Sequence, residues 1–319
     1  MSRFCSIALV LFLLAPVVTE AQQAGRGARV GELIADPLLR QTFRQGLREL
    51  GYFEGQNITF ETRDVEGPLD RLSDLAAELV RLRVDIILVD TSPALQAVRH
   101  ATKSIPIVMV GFGDPVAEGF VTTLARPGGN ITGFSWQTPE SSGKRLELLK
   151  EVRPILSHVA VLFDPRDPVA TVELRAIQAA ARDLNVAIET FQVGEQLDQE
   201  LLSAIKKARA DALVVVYTTR TARERQRIIE FTIANRLPLM SEGREFTEAG
   251  GLMTYGPQMI DLYRRTAVYA DKILKGAKAA ELPIERPTQF ELVINLKTAK
   301  ALGVKIPQSL LLRANEVIQ

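Results

Sequence analysis

The sequence predicts an α/β protein of two doubly wound, Rossmann-like lobes joined by a hinge. Three observations lead there. Segments 84–89 and 211–216 are apolar at every position but Asp85 and Asp211, the type of strand buried on both faces of a parallel sheet. Amphipathic helical stretches alternate with such strands along nearly the whole chain, the order expected of a parallel α/β sheet. The run strand-helix-strand-helix-strand-helix-strand then occurs twice, on either side of a turn at Pro127-Gly128-Gly129.

The first run opens with a buried strand at 29–35. Residues 38–50 place Leu39, Phe43, Leu47 and Leu50 at helical spacing, and Gly51 supplies the stop. A strand follows at 57–63, then an amphipathic helix over 68–83 with Leu72, Leu75, Ala76, Leu79 and Val80 inward. After the strand 84–89 comes a helix from 92 to 102, with Ser92 as its cap and Pro93 at its first position. The strand 105–110 closes the run.

The second run predicts strands at 131–136, 158–163, 186–192, 211–216 and 237–240. Helices at 141–152, 168–184, 198–208 and 221–235 lie between them. The last part reads as 250–255, a helix over 259–275, a strand over 290–295 and a short helix ending at Gly303. The expected division is a first lobe of residues 22–133 plus about 256–285, and a second of 134–255 plus about 286–319. The segment after Lys275 fits either lobe.

Residues 1–21 have the layout of a cleavable secretory signal: Arg3, an apolar run over 7–18, then Thr19-Glu20-Ala21 at the cleavage site. The run is short for a membrane span, which needs about 20 residues. Cys5 precedes the run, so it is not the acylated cysteine of a bacterial lipoprotein. A periplasmic protein cleaved near Ala21 is expected. Cys5 is the one cysteine, so the mature chain has no disulfide, thiolate metal site or cysteine nucleophile. The net charge of +1 selects neither nucleic acid nor a charged membrane surface as partner. Residues that are 46% hydrophobic supply a core without disulfides.

Enzyme motifs are missing. Gly111-Phe112-Gly113-Asp114-Pro115-Val116 starts like a dinucleotide fingerprint but lacks the third glycine, and a tight strand-to-loop turn is the better reading. Gly133-Phe134-Ser135-Trp136-Gln137 falls one glycine short of a nucleophile elbow. The two histidines, His100 and His158, read as a solvated helix residue and a turn residue. Neither enzymatic activity nor a cofactor or metal is expected. In doubly wound folds ligands sit at the carboxyl ends of the strands. Those ends carry Asp36, Asp90-Thr91-Ser92, Gly111 to Asp114, Phe163-Asp164, Tyr217-Thr218-Thr219 and Ser241-Glu242. A cleft lined by such loops suits a small polar molecule.

Several long motifs resemble one exported family. They include Phe43-Arg44-Gln45-Gly46-Leu47-Arg48-Glu49-Leu50-Gly51-Tyr52, Gly113-Asp114-Pro115-Val116 and Arg126-Pro127-Gly128-Gly129-Asn130-Ile131-Thr132-Gly133. Lys144 to Leu149, Arg244-Glu245-Phe246, Ala249 to Met253 and Phe290 to Gly303 extend the match over nearly the whole mature chain. The chain is identified as resembling the ABC transporter substrate-binding proteins that include the tryptophan-binding type. The resemblance implies a type I periplasmic binding fold, closure of two lobes on a small ligand, and a permease in the inner membrane as partner.

It also implies ligand contacts. A hydroxyl after the third strand would hold an α-carboxylate, here Thr91 or Ser92, and an acid of the second lobe would pair an ammonium, here Glu242 or Asp164. Tyr217, Phe112, Phe163 and Trp136 would wall an aromatic side chain, lobe packing being the alternative for each. The expected ligand-binding set is Asp36, Thr91, Ser92, Gly111, Asp114, Trp136, Asp164, Tyr217 and Glu242. The function implied is capture of an amino acid or aromatic carboxylate by a monomer for an ABC importer. A sensor docking on a membrane receptor, or an exported hydrolase, are the alternatives.

Overall fold

The computed structural model describes residues 27–35, 37–65, 71–112, 114–135 and 139–319. The expected signal segment and the candidate site residues Asp36 and Trp136 lie outside the described residues.

The chain begins β1 (Ala28–Leu33), α1 (Pro37–Glu49), β2 (Ile58–Thr62), α2 (Leu72–Arg81), β3 (Ile86–Val89), α3 (Ser92–Ala101), β4 (Ile107–Phe112) and β5 (Ile131–Ser135). It continues α4 (Pro139–Val152), β6 (His158–Phe163), α5 (Pro168–Asp183), β7 (Ala187–Gln192), α6 (Gln199–Ala208), β8 (Ala212–Val215), α7 (Thr219–Arg223), α8 (Arg225–Ala234), β9 (Leu239–Ser241), α9 (Arg244–Glu248) and β10 (Met253–Pro257). Then come α10 (Met259–Leu274), β11 (Ile284–Glu285), β12 (Phe290–Asn295), α11 (Leu296–Leu302), α12 (Gln308–Leu311) and β13 (Glu316–Ile318).

Two sheets result. The first has the order β11-β5-β4-β3-β1-β2 with every pair parallel. The second has the order β13-β12-β10-β9-β8-β6-β7 and is parallel except where β10 meets β12. Both are the mixed α/β architecture the alternating pattern predicts. The very apolar strands occupy the middle: β3 and β8 are buried at all four positions, because helices cover both faces.

Burial of apolar side chains drives each half together. In the first, Leu33, Leu79, Ile87 and Val98 fill one side of the sheet, and Val30, Phe43, Leu47 and Ile86 the other. In the second, Val161 and Val214 face the layer containing Leu149 and Ile177, while Leu162 and Val215 face Ile205 and Ile228. Late in the chain α10 returns to the first half. Its Leu262, Tyr263 and Ala267 join Phe43 and Leu47, and a Cβ on Gly46 would stand 2.8 Å from that of Ala267. Gly46 therefore lets α1 and α10 meet closely.

The chain passes between the halves after β5, after β10 and after β11. The second and third passages are side by side, since the Gln258 backbone N–H donates to the Gln289 carbonyl at 3.1 Å. These passages are the hinge.

Local differences from the sequence reading have identifiable causes. Thr91, not Ser92, caps α3: its side chain accepts from the Ala94 N–H at 3.3 Å, and Ser92 becomes the first helical residue. The expected helix 221–235 starts earlier and is divided, because a capping box between Thr218 and Thr221 opens α7 at Thr219 and the backbone relaxes at Glu224. Strands β11 and β13 have only two and three residues, too few for a period to register.

Candidate functional site

The carboxyl ends of the strands in both halves border a cleft holding two adjoining cavities of about 570 and 430 Å³. Both are lined by Ser92 from the first half and by Asp167, Thr218, Thr219 and Arg223 from the second. Their position follows the rule for open α/β sheets. A hollow of about 1230 Å³ lies at the opposite end of the first sheet, around Ala28, Asp85, Pro106 and Asn130. Those residues mark the amino ends of its strands, where this fold does not place ligands.

From the first half, Thr91, Ser92 and Gly111 line the smaller cavity. Thr91 and Ser92 start the ten-residue helix α3, whose dipole favours an anion; Pro93 has no N–H and the Ala94 N–H is held by Thr91, so the Ser92 N–H and hydroxyl are the donors that can meet one. Asp90 borders the same cavity with its carboxylate already engaged: it accepts from the Ala35 N–H at 2.8 and 3.0 Å and from the Tyr263 hydroxyl at 3.4 Å. Gly111 adopts φ +85°, a left-handed conformation that suits glycine where β4 turns out of the sheet.

The turn after β4 adds Glu118 and Phe120 to the larger cavity. Asp114 builds that turn. Its Oδ1 accepts from the N–H groups of Val116 and Ala117 at 3.0 and 3.1 Å, and its carbonyl accepts from the Glu118 N–H at 2.9 Å. The structure places Asp114 as the residue that positions Glu118, and neither cavity is lined by it. Burial, then the charges of Asp167 and Asp114, push the Glu118 carboxyl up to about 7.

From the second half, Asp164 follows β6 and lines the larger cavity. It is buried and paired: Arg220 Nε donates to its Oδ2 at 2.7 Å and the Arg166 N–H to its Oδ1 at 3.0 Å. Asp167 caps α5 by accepting from the Val169 N–H at 3.0 Å. Burial raises its carboxyl to about 6, against that hydrogen bond and with help from Asp164. Tyr217 borders the smaller cavity and meets Phe246 edge-on, with ring centroids 6.4 Å apart. Arg223 lines both cavities and donates from Nη2 to the Val65 carbonyl of the first half at 3.2 Å.

Glu242 is placed elsewhere. It sits 3.8 Å from Nη1 of Arg145, a residue only 1% exposed, which also pairs with Glu173 and donates to the Tyr255 carbonyl at 3.3 Å. Burial raises the Glu242 carboxyl and lowers the Arg145 guanidinium, while each charge opposes the shift of the other. Neither cavity is lined by Glu242; its neighbour Glu245 borders the smaller one.

Of the expected set, Thr91, Ser92, Gly111, Asp164 and Tyr217 therefore come together at the cleft. Phe163 is 6% exposed and packs in the second core, and it borders neither cavity. Sequence reasoning missed Glu118, Asp167, Arg220 and Arg223. A signal existed for two of them. Asp167-Pro168 and Thr218-x-x-Thr221 mark helix starts just beyond strands, so Asp167 and Arg220 fall at the sheet end where ligands gather. Among the described residues no three His, Cys, Asp or Glu side chains form a metal set. Nor is any described helix long and apolar enough to cross a membrane.

Residues 35–318 match the family model described as ABC transporter substrate binding protein. The chain is 25% identical over 281 residues to a tyrosine-binding protein of Clostridioides difficile, covering 86% of this chain and 80% of that one. It is also similar to the solved ABC domain from Streptococcus pneumoniae in complex with L-Trp. That likeness has 27% identity and a TM-score of 0.85, and covers 92% of this chain and 100% of the other. A ligand-free, open substrate binding protein with adhesive properties from Clostridium difficile matches at 25% identity and a TM-score of 0.71, over 92% and 99% of the two chains. These neighbours share the type I periplasmic binding fold.

Proposed function

The chain belongs to the ABC transporter substrate binding protein family, and on that premise we propose that it captures a small carboxylate-bearing ligand. An amino acid or an aromatic carboxylate fits the cleft best. The chain would work outside the cytoplasmic membrane, after export on the signal at 1–21, and hand its ligand to the permease of an importer. It performs no covalent chemistry on the ligand in this reading.

The observation that carries the reading is the cleft itself, lined from both halves at the carboxyl ends of the strands. Ligand carboxylate goes to the start of α3, where the Ser92 hydroxyl and N–H meet it and the helix dipole favours it. Tyr217, with Phe120 in the adjoining cavity, supplies flat apolar surface for a ring. Gly111 leaves room for close approach, and Asp164 holds Arg220 in place at the wall. The likeness is greater to the L-Trp complex than to the open structure, which supports reading the present arrangement as closed. Closure about the hinge then buries the ligand and lets both halves bond to it. That closed form is what a permease would recognise.

A thermal-shift comparison tests the reading. A ligand that binds only the folded protein raises the melting temperature by mass action. Aromatic amino acids or hydroxybenzoates are expected to raise it, while sugars and nucleosides leave it unchanged. A shift with sugars alone would overturn the carboxylate assignment.

A further inference from the structure

Among the described residues of the cleft, Glu118 is a buried acid whose carboxylate has no partner. Both carboxylate oxygens are shut off from solvent and have no hydrogen-bond partner among the described residues. A buried ionised carboxylate in that condition is costly. Nearby charges do not relieve it. Asp114 and Asp167 act on it with the same sign. Arg220 is committed to Asp164 and to the Glu195 carbonyl, and Arg166 to Asp164 and the Gly194 carbonyl. Arg223 bonds to the Val65 carbonyl. Yet the Glu118 side chain lines the larger cavity beside Ser92, so rotation about its own χ angles presents the carboxylate to whatever occupies that space.

We propose that Glu118 reads a protonated amine on the ligand, making the cleft selective for amino acids over the corresponding acids that lack the amine. The inference rests on the cleft being the ligand site, as proposed above. An ammonium group supplies the donor and the positive charge this carboxylate lacks. With the carboxylate of the ligand at α3, the amine reaches a second anchor on the same half of the protein. A deaminated acid leaves Glu118 unpaired and gains nothing there. Glu242 does not fill this role, because it borders neither cavity and already faces Arg145.

The test is calorimetric titration at pH 8 with two matched pairs: L-tyrosine against 3-(4-hydroxyphenyl)propionate, and L-tryptophan against indole-3-propionate. Wild type is expected to prefer the amine-bearing member. Glu118→Gln keeps the shape and removes the charge. It should cut that preference by about tenfold to a hundredfold, the range for loss of a charge-assisted hydrogen bond, and leave binding of the deaminated acids intact. Intact binding also shows that the variant is folded. Glu242→Gln should leave the preference as it is. An unchanged preference in Glu118→Gln, or its collapse in Glu242→Gln, overturns the inference. Wild type binding only the deaminated acids sinks the role of Glu118 while sparing the ligand site. Binding of neither pair overturns the reading of the cleft and this inference with it.

Discussion

Arg223 Nη2 donates to the carbonyl oxygen of Val65 at 3.2 Å, a hydrogen bond that joins the second half of the chain to the first across the cleft. Its donor also borders both cavities, so the contact and the ligand share one neighbourhood.

Removing that donor should loosen closure without unfolding either half. A single hydrogen bond is worth about 0.5–1.5 kcal/mol net, so Arg223→Ala is expected to weaken ligand binding by roughly two- to tenfold. Small-angle scattering of the ligand-saturated variant should show a larger radius of gyration than wild type. Equal radii and equal affinities would show that the bond does not hold the closed form.

Stability of the ligand-free protein should depend on pH through Glu118. Its carboxyl lies at about 7 in the native state and that of Asp167 at about 6, both above their ordinary values. Asp114, Asp164, Arg166, Glu195, Arg220, Arg223 and Glu224 are the other charged groups around this part of the cleft or its turn. A raised native value means the folded protein binds protons more tightly than the unfolded chain, so stability falls as pH rises. The loss should run from about pH 4 to about pH 7. For Glu118 it amounts to about 1–2 kcal/mol once solvent screening at a partly exposed site is allowed for. Urea denaturation across that window should show a shallower slope in Glu118→Gln, and an identical slope would remove Glu118 as the titrating group.

The fold was legible because its signals are local. Strands β6 and β12 occupy the segments 158–163 and 290–295 that alternation and apolar runs mark out. Cleft residues at the first positions after a strand, such as Thr91, Ser92, Asp164 and Tyr217, were legible for the same reason. Glu118 was not, because the charge that acts on it most is that of Asp167, a residue of the other half that no local pattern connects to it. Glu242 looks like a ligand group by position, yet Arg145 from the distant helix α4 occupies it.

Arg145 should prove indispensable to the second half. It is buried against two carboxylates, so Arg145→Met leaves Glu173 and Glu242 without the charge that compensates them. Breaking a buried pair from one side costs about 3–5 kcal/mol. A chemical denaturation midpoint near that of wild type would show that these acids are neutral in the fold.

Gly133 in β5 should tolerate no side chain. Its φ is +129°, and an added Cβ would collide with the Met109 carbonyl oxygen of β4. Gly133→Ala is therefore expected to destabilise by at least about 1–3 kcal/mol through strain and lost strand pairing. A melting temperature unchanged from wild type would contradict the close approach of β4 and β5.

Isothermal titration of L-tyrosine and L-tryptophan into wild type and into Ser92→Trp tests the central claim most directly. Ser92 borders both cavities, so an indole at that position fills the space a ligand would need. Saturable one-site binding to wild type is expected, with its loss in a variant still folded by circular dichroism. Binding of equal affinity to both proteins would place the ligand outside the cleft.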